Sequence, residues 1–221
     1  MEWLLEKIRE IKPDQVVCLG DLVEADSASR WEKEDAPDLD VEFTAASSLL
    51  SQVRITAETN HGNKFVLLEG NHDDNLRRKG RLPKSVRSMC LPEAHILLSN
   101  ELRHWTVFPY ENSERGVYRL GRVAFTHGFA HGVGSDREEA VLFSGAEDSL
   151  VVRAHTHQPE RPTQVFLTKK IPLPYWYANA GTLRDLKPEW TSRLNTRRWA
   201  HALVVVEVAK NGDWKAETLF R

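Results

Sequence analysis

Cysteine is nearly absent: the 221 residues hold only Cys18 and Cys90, and Cys18 falls inside an apolar run. That argues against a disulfide-scaffolded secreted domain and favours reduced, buried thiols in a cytoplasmic protein. Long hydrophobic runs are missing too. The longest apolar stretch near the end, Ala202 to Val208, is far short of a bilayer span, and the first fourteen residues carry too many charges for a signal-peptide core. A membrane partner is therefore not expected. Nor does one sign of charge dominate. The formal charge of −2 supplies no bulk attraction to nucleic acid, which stays possible as a partner without being indicated. No repeat, low-complexity tract or Gly/Ser linker divides the chain, so residues 1–221 read as one domain.

Amphipathic and buried patterns fill the rest. Trp3, Leu4, Leu5, Ile8 and Ile11 fall at helical spacing, and Lys12-Pro13-Asp14 ends that helix. A strand follows to Leu19. From Glu24 to Glu42, eight acidic residues stand against only Arg30 and Lys33, which predicts an exposed loop. Ala46, Leu49, Leu50 and Val53 mark a second helix, and Phe65 to Leu68 a second strand. Arg77, Arg78, Lys79, Arg81, Lys84 and Arg87 form a basic run, read as a solvated face that could also contact phosphates. Short strands are expected at 105–109, 117–120, 165–167 and 175–178, with a hairpin at Gly121-Arg122. A last pair, Leu203 to Val208 and Trp214 to Leu219, is joined by an Asn211-Gly212 turn. Strands alternating with helices, then many short strands, fit a sheet-on-sheet core with helices outside.

Four apolar runs end in metal-type ligands. They are Val16 to Asp21, Phe65 to Asp73, Val123 to Gly128 and Leu150 to His157. Each starts with residues suited to a strand buried on both faces and turns polar where the strand should stop. Ligands of open α/β sheets bind at such carboxyl ends. Asp21, Asn71, His127, His155 and His157 offer a carboxylate, an amide oxygen and three imidazoles, a donor set suited to Mn, Fe, Zn or Co. His155 and His157, two apart at a strand end, face the same way and could reach one metal or two adjacent ones. Asp21 is the natural bridge between two ions. His72 cannot easily share a metal with its neighbour Asn71, and suits general acid catalysis, with Asp73 beside it to fix its tautomer. His131 reads as a surface-loop residue, while Trp176, Tyr175 and Tyr177 read as core.

The ordered set Gly20-Asp21-Leu22-Val23-Glu24, Gly70-Asn71-His72-Asp73, Thr126-His127-Gly128 and Ala154-His155-Thr156-His157 resembles the calcineurin-like metallophosphoesterases. Ala178 to Thr182, Leu186 to Trp190 and Arg198 to His201 are similar to the phage and prophage branch of that family. The resemblance implies an α/β fold, a four-layer αββα sandwich with a dinuclear site at one edge. It implies that Asp21 bridges two divalent ions, that Asn71, His127 and His155 complete one and that His157 serves the other. Hydrolysis of a phosphomonoester or phosphodiester by a metal-activated hydroxide follows, with His72 as general acid. One departure stands out. The family opens with a strand ending in Asp-x-His, and no Asp-x-His precedes Asp21. An N-terminally truncated reading is the favoured explanation. A single metal held by Asp21, Asn71, His127 and His155, or a substitute ligand such as His131, are the others. The departure also leaves open a second function, a catalytically incomplete module that binds or regulates.

Overall fold

The computed structural model describes residues 1–24, 38–58, 64–78, 92–168, 170–186 and 196–221. Most of the acidic stretch, the basic run beyond Arg78, His61, Cys90 and Lys187 to Trp190 lie outside the described residues. The chain forms two compact units, 1–110 and 111–221. The described residues hold a parallel, a mixed and a two-stranded antiparallel sheet beside helices, a mixed α/β content consistent with the calcineurin-like fold.

In the first unit, α1 (Glu2–Ile11) stops at Lys12, whose left-handed φ of 52° lets its N–H bond back to the Ile8 carbonyl. Pro13 then bars any continuation. β1 (Gln15–Cys18), β2 (Lys64–Leu68) and β3 (Thr106–Phe108) pair in parallel in that order. α2 (Leu39–Glu58) and α4 (Pro92–Leu102) pack together, and α3 (Asn71–Arg78) opens directly after β2. Ile8, Leu50, Val53, Ala57, Phe65, Leu67 and Trp105 form the core, with the Phe65 and Trp105 rings 5.2 Å apart. Beside it Glu101 accepts from Arg54 Nε at 2.8 Å and from Trp105 Nε1 at 3.2 Å. Burial alone would raise the Glu101 carboxyl, but these donors hold it below the usual range.

In the second unit, β4 (Tyr118–Leu120), β5 (Val123–Phe125), β6 (Ser149–Arg153), β8 (Ile171–Asn179) and β7 (Glu160–Thr168) make a five-stranded sheet in that order. Its inner pairs β5–β6 and β6–β8 are parallel, and its outer pairs are antiparallel. Every residue of β6 is buried, which is why its centre, Leu150 to Val152, is apolar without alternation. α5 (Ser135–Phe143) lies on this sheet, and Ala140 and Phe143 join Val117, Ala124, Val151 and Val165 in the core. β9 (Ala202–Val208) and β10 (Trp214–Phe220) form a separate antiparallel ribbon. The expected Gly121-Arg122 hairpin is present, with Gly121 at φ 58°. β7 and β8 are each nine residues, far longer than the expected short strands. Pro162, Pro172 and Pro174 mask their pattern, and register shifts along the pair accommodate the irregularity.

Candidate active site

In the first unit β1 and β2 are adjacent and parallel, Cys18 opposite Leu67, so both leave the sheet at the same edge. One continues into Asp21 and the other into Asn71. Gly20 at φ 92° and Asp21 at φ 52° turn the first of these ends. Asp21 Oδ1 then accepts the His72 N–H at 3.1 Å. This amide lies in the first turn of α3, where backbone donors lack helical partners and the helix dipole favours a carboxylate. The approach is close enough that a Cβ on Gly70 would lie 2.1 Å from Asp21 Oδ1 and 2.4 Å from Asp21 N. Only glycine fits there.

Asp73 has a different job from the one its position suggests. Its Oδ2 accepts the Gly70 N–H at 2.8 Å, the backward half of a capping box. Its Oδ1 accepts from Leu22 at 3.1 Å and Val23 at 3.2 Å, tying the loop after β1 to the start of α3. Burial, the largest effect, and the charge of Asp21 push the Asp73 carboxyl up to about 6 against the pull of these amides. The expectation that Asp73 fixes the His72 tautomer is thereby corrected. Consecutive residues of a helical turn do not face each other, so the two side chains diverge. The partner of His72 is instead the backbone carbonyl of Glu24, which takes Nδ1–H at 2.8 Å, with Glu24 Oε2 3.7 Å away. Nδ1 thus keeps its proton and Nε2 is the nitrogen set to exchange one.

The second unit repeats the arrangement. β5 and β6 are adjacent and parallel, and Thr126 N–H to Val152 O and Ala154 N–H to His127 O, both 3.1 Å, carry the pairing past both strands. His127 and His155 therefore emerge together at one edge, with His127 Nε2 3.0 Å from His155 Nδ1. Both are buried. Among the described residues five non-glycines have positive φ, and three of these are Asp21, His155 (65°) and His157 (60°). Such backbone is costly and concentrates at functional sites. The His157 ring packs edge-on against Trp199 at 4.4 Å.

Three further residues support this second half. Asn179 is fully buried, and its Nδ2 donates to Asp136 Oδ1 at 2.9 Å, Ala154 O at 3.1 Å and Thr156 Oγ1 at 2.9 Å, bracketing His155. Its Oδ1 accepts the Gly181 N–H at 2.9 Å. Arg153, fully buried inside β6, faces Asp136 at 3.4 Å and Glu139 at 3.5 Å. His131, which reads as a loop residue in the sequence, stands with Nε2 3.0 Å from His155 Nε2. Of the three aromatic residues expected in the core, Tyr175 and Tyr177 pack against it, while Trp176 meets Trp214 at 5.8 Å.

Two imidazole nitrogens 3.0 Å apart suit one metal ion: donors at about 2.0–2.1 Å with near-octahedral or tetrahedral angles stand roughly 3 Å from each other. Comparison with known proteins agrees. Residues 1–159 match the family model described as calcineurin-like phosphoesterase, a span that includes all four ligand-bearing strand ends. Comparisons with curated proteins and with solved structures gave no match. The match covers well over half of the chain, and the chain belongs to the calcineurin-like phosphoesterase family.

Proposed function

We propose that this chain is a metal-dependent phosphoesterase whose ligand-bearing strand ends carry the reaction. The observation that carries this reading is their likeness. In each unit two adjacent parallel strands bring candidate ligands to one sheet edge, Asp21 and Asn71 in the first and His127 and His155 in the second. Family membership supports this reading. Asp21, Asn71, His127 and His155 would hold one divalent ion, and Asp21 with His157 a second. Mn, Fe, Zn and Co all suit these donors. Bound metal supplies Lewis-acid charge for the phosphoryl oxygens and lowers the pKa of a coordinated water.

The chain's own residues do the rest. Asp21 lies at the N-terminus of α3, fixed by the His72 amide, so its carboxylate is oriented before any ligand arrives. His72, with Nδ1–H held by the Glu24 carbonyl, donates a proton from Nε2 to the leaving oxygen of a phosphoester. Such a group contributes about 10²–10⁴-fold. Resemblance to the phage branch is proposed on Asn179, Gly181 and Trp199, which brace the His155 and His157 turn.

The test is Mn²⁺-dependent hydrolysis of p-nitrophenyl phosphate and bis-p-nitrophenyl phosphate by the wild-type chain and by Asp21→Ala. Metal-dependent turnover that disappears in Asp21→Ala is expected. Folded, metal-loaded protein inert toward both esters would overturn the reading and favour a module that binds without hydrolysis.

A further inference from the structure

We propose that His131 is a positioning residue that fixes the tautomer and ring angle of His155. The inference rests on the metal-dependent reading of His155. That ring has a nitrogen neighbour on each side, His127 Nε2 3.0 Å from its Nδ1 and His131 Nε2 3.0 Å from its Nε2. Each facing pair of nitrogens needs one N–H between them, and a neutral imidazole carries only one. When His155 donates from Nε2 to His131, its Nδ1 is left as a lone pair directed to the side of His127. That is the form a metal ligand needs, and a partner on the remote nitrogen is the usual way to impose it.

His131 is not itself a candidate for the same ion. The two nitrogens of an imidazole point apart, and His131 meets His155 on the nitrogen turned away from His127. Its own placement is built rather than incidental. Glu139 Oε1 accepts the N–H groups of both Phe129 and Ala130 at 2.6 Å, and Arg153 Nη2 donates to the Ala130 carbonyl at 2.9 Å. These clamp the peptide units just before His131. Gly128 makes room for the clamp: at φ 106°, a Cβ there would lie 2.6 Å from Arg153 Nη2. Glu139 is 3% and Arg153 0% exposed, so a buried ion pair that is costly to desolvate secures a loop whose tip is an exposed histidine.

Long-range ¹H–¹⁵N spectra of the metal-free, ¹⁵N-histidine-labelled chain read the tautomer without any turnover. Wild type is expected to show His155 as the Nε2–H form. His131→Ala and His131→Leu should shift it toward Nδ1–H, and His131→Gln, whose side-chain oxygen accepts a hydrogen bond, should restore it. Mn²⁺ titration calorimetry should show affinity falling about 10–100-fold in the Ala and Leu variants, with recovery in Gln. An unchanged His155 tautomer and unchanged Mn²⁺ affinity in both folded apolar variants would overturn the inference alone. Wild type that binds no Mn²⁺ would overturn the metal-dependent reading, while the spectra would still decide the role of His131.

Discussion

Replacing Gly70 by alanine tests the tightest contact in the first half-site. Gly70 does not have positive φ, so alanine meets no backbone penalty and the effect is steric. The added Cβ would sit 2.1 Å from Asp21 Oδ1, where ordinary contact begins near 3.4 Å, so about 1.3 Å of separation must be found. One of the obstacles is backbone, since Asp21 N lies 2.4 Å away, so rotating the side chain is not enough. The loop after β1 must therefore move, and the bond from the His72 amide to Asp21 Oδ1 opens with it. Overpacking of this kind costs about 1–3 kcal/mol, and a misplacement near 1 Å at a reacting centre costs about 10²-fold in rate. The assay pairs thermal denaturation with Mn²⁺-dependent hydrolysis of bis-p-nitrophenyl phosphate. Gly145→Ala is the control, because its added Cβ meets only the movable end of Arg119 at 3.2 Å. Wild-type rate and Mn²⁺ affinity in Gly70→Ala would refute the claim that this contact sets the position of Asp21.

Further expectations concern the acid, the buried supports and the thiol. His72→Ala should lower turnover about 10²–10⁴-fold while sparing Mn²⁺ binding, and the defect should be larger for phenyl phosphate than for p-nitrophenyl phosphate, whose better leaving group needs less protonation; equal defects would remove His72 from the acid role. Arg153→Leu leaves Glu139 buried without its cation and should cost about 3–5 kcal/mol by urea denaturation. Asn179→Ala, which removes two N–H donors shared among three acceptors and one accepting oxygen, should cost about 2–4 kcal/mol and weaken Mn²⁺ binding through the His155 turn. Cys18, its thiol pushed up to about 11 from 9.0 by burial, should react with a disulfide reagent about 100-fold more slowly than an ordinary cysteine when measured in a Cys90→Ser background. Because the raised value favours the neutral thiol in the fold, the stability it contributes is complete below pH 9.0 and is lost as pH rises toward 11.

The strand ends were legible because each leaves two local marks, an apolar run and an abrupt polar stop. β1, β2, β5 and β6 all lie where Val16, Phe65, Val123 and Leu150 announce them, and the Asp21, Asn71, His127 and His155 ends follow. Turn chemistry was equally local, as at Lys12 and Gly121. What escaped depends on partners distant in sequence. Arg153 reads as one cation in a strand, and only its approach to Glu139 shows why it is buried. Asp136 and Glu139 lie on α5 in a run that looks like any solvated helix face. Asn179 and His131 act through contacts 25 and 24 residues away, which no periodicity encodes. Asp73 differs for the opposite reason: its neighbour in sequence is His72, but helical geometry directs its carboxylate to the amides of Gly70, Leu22 and Val23.

The proposed function requires Asp21 and His155 to hold the same ion. A double-mutant cycle measures it: Mn²⁺ titration calorimetry on wild type, Asp21→Ala, His155→Ala and the double variant. Strong coupling is expected, with the double variant binding little more weakly than either single one, because each single change already dismantles the centre. Additive losses, or a wild-type chain that takes up no Mn²⁺, would contradict it.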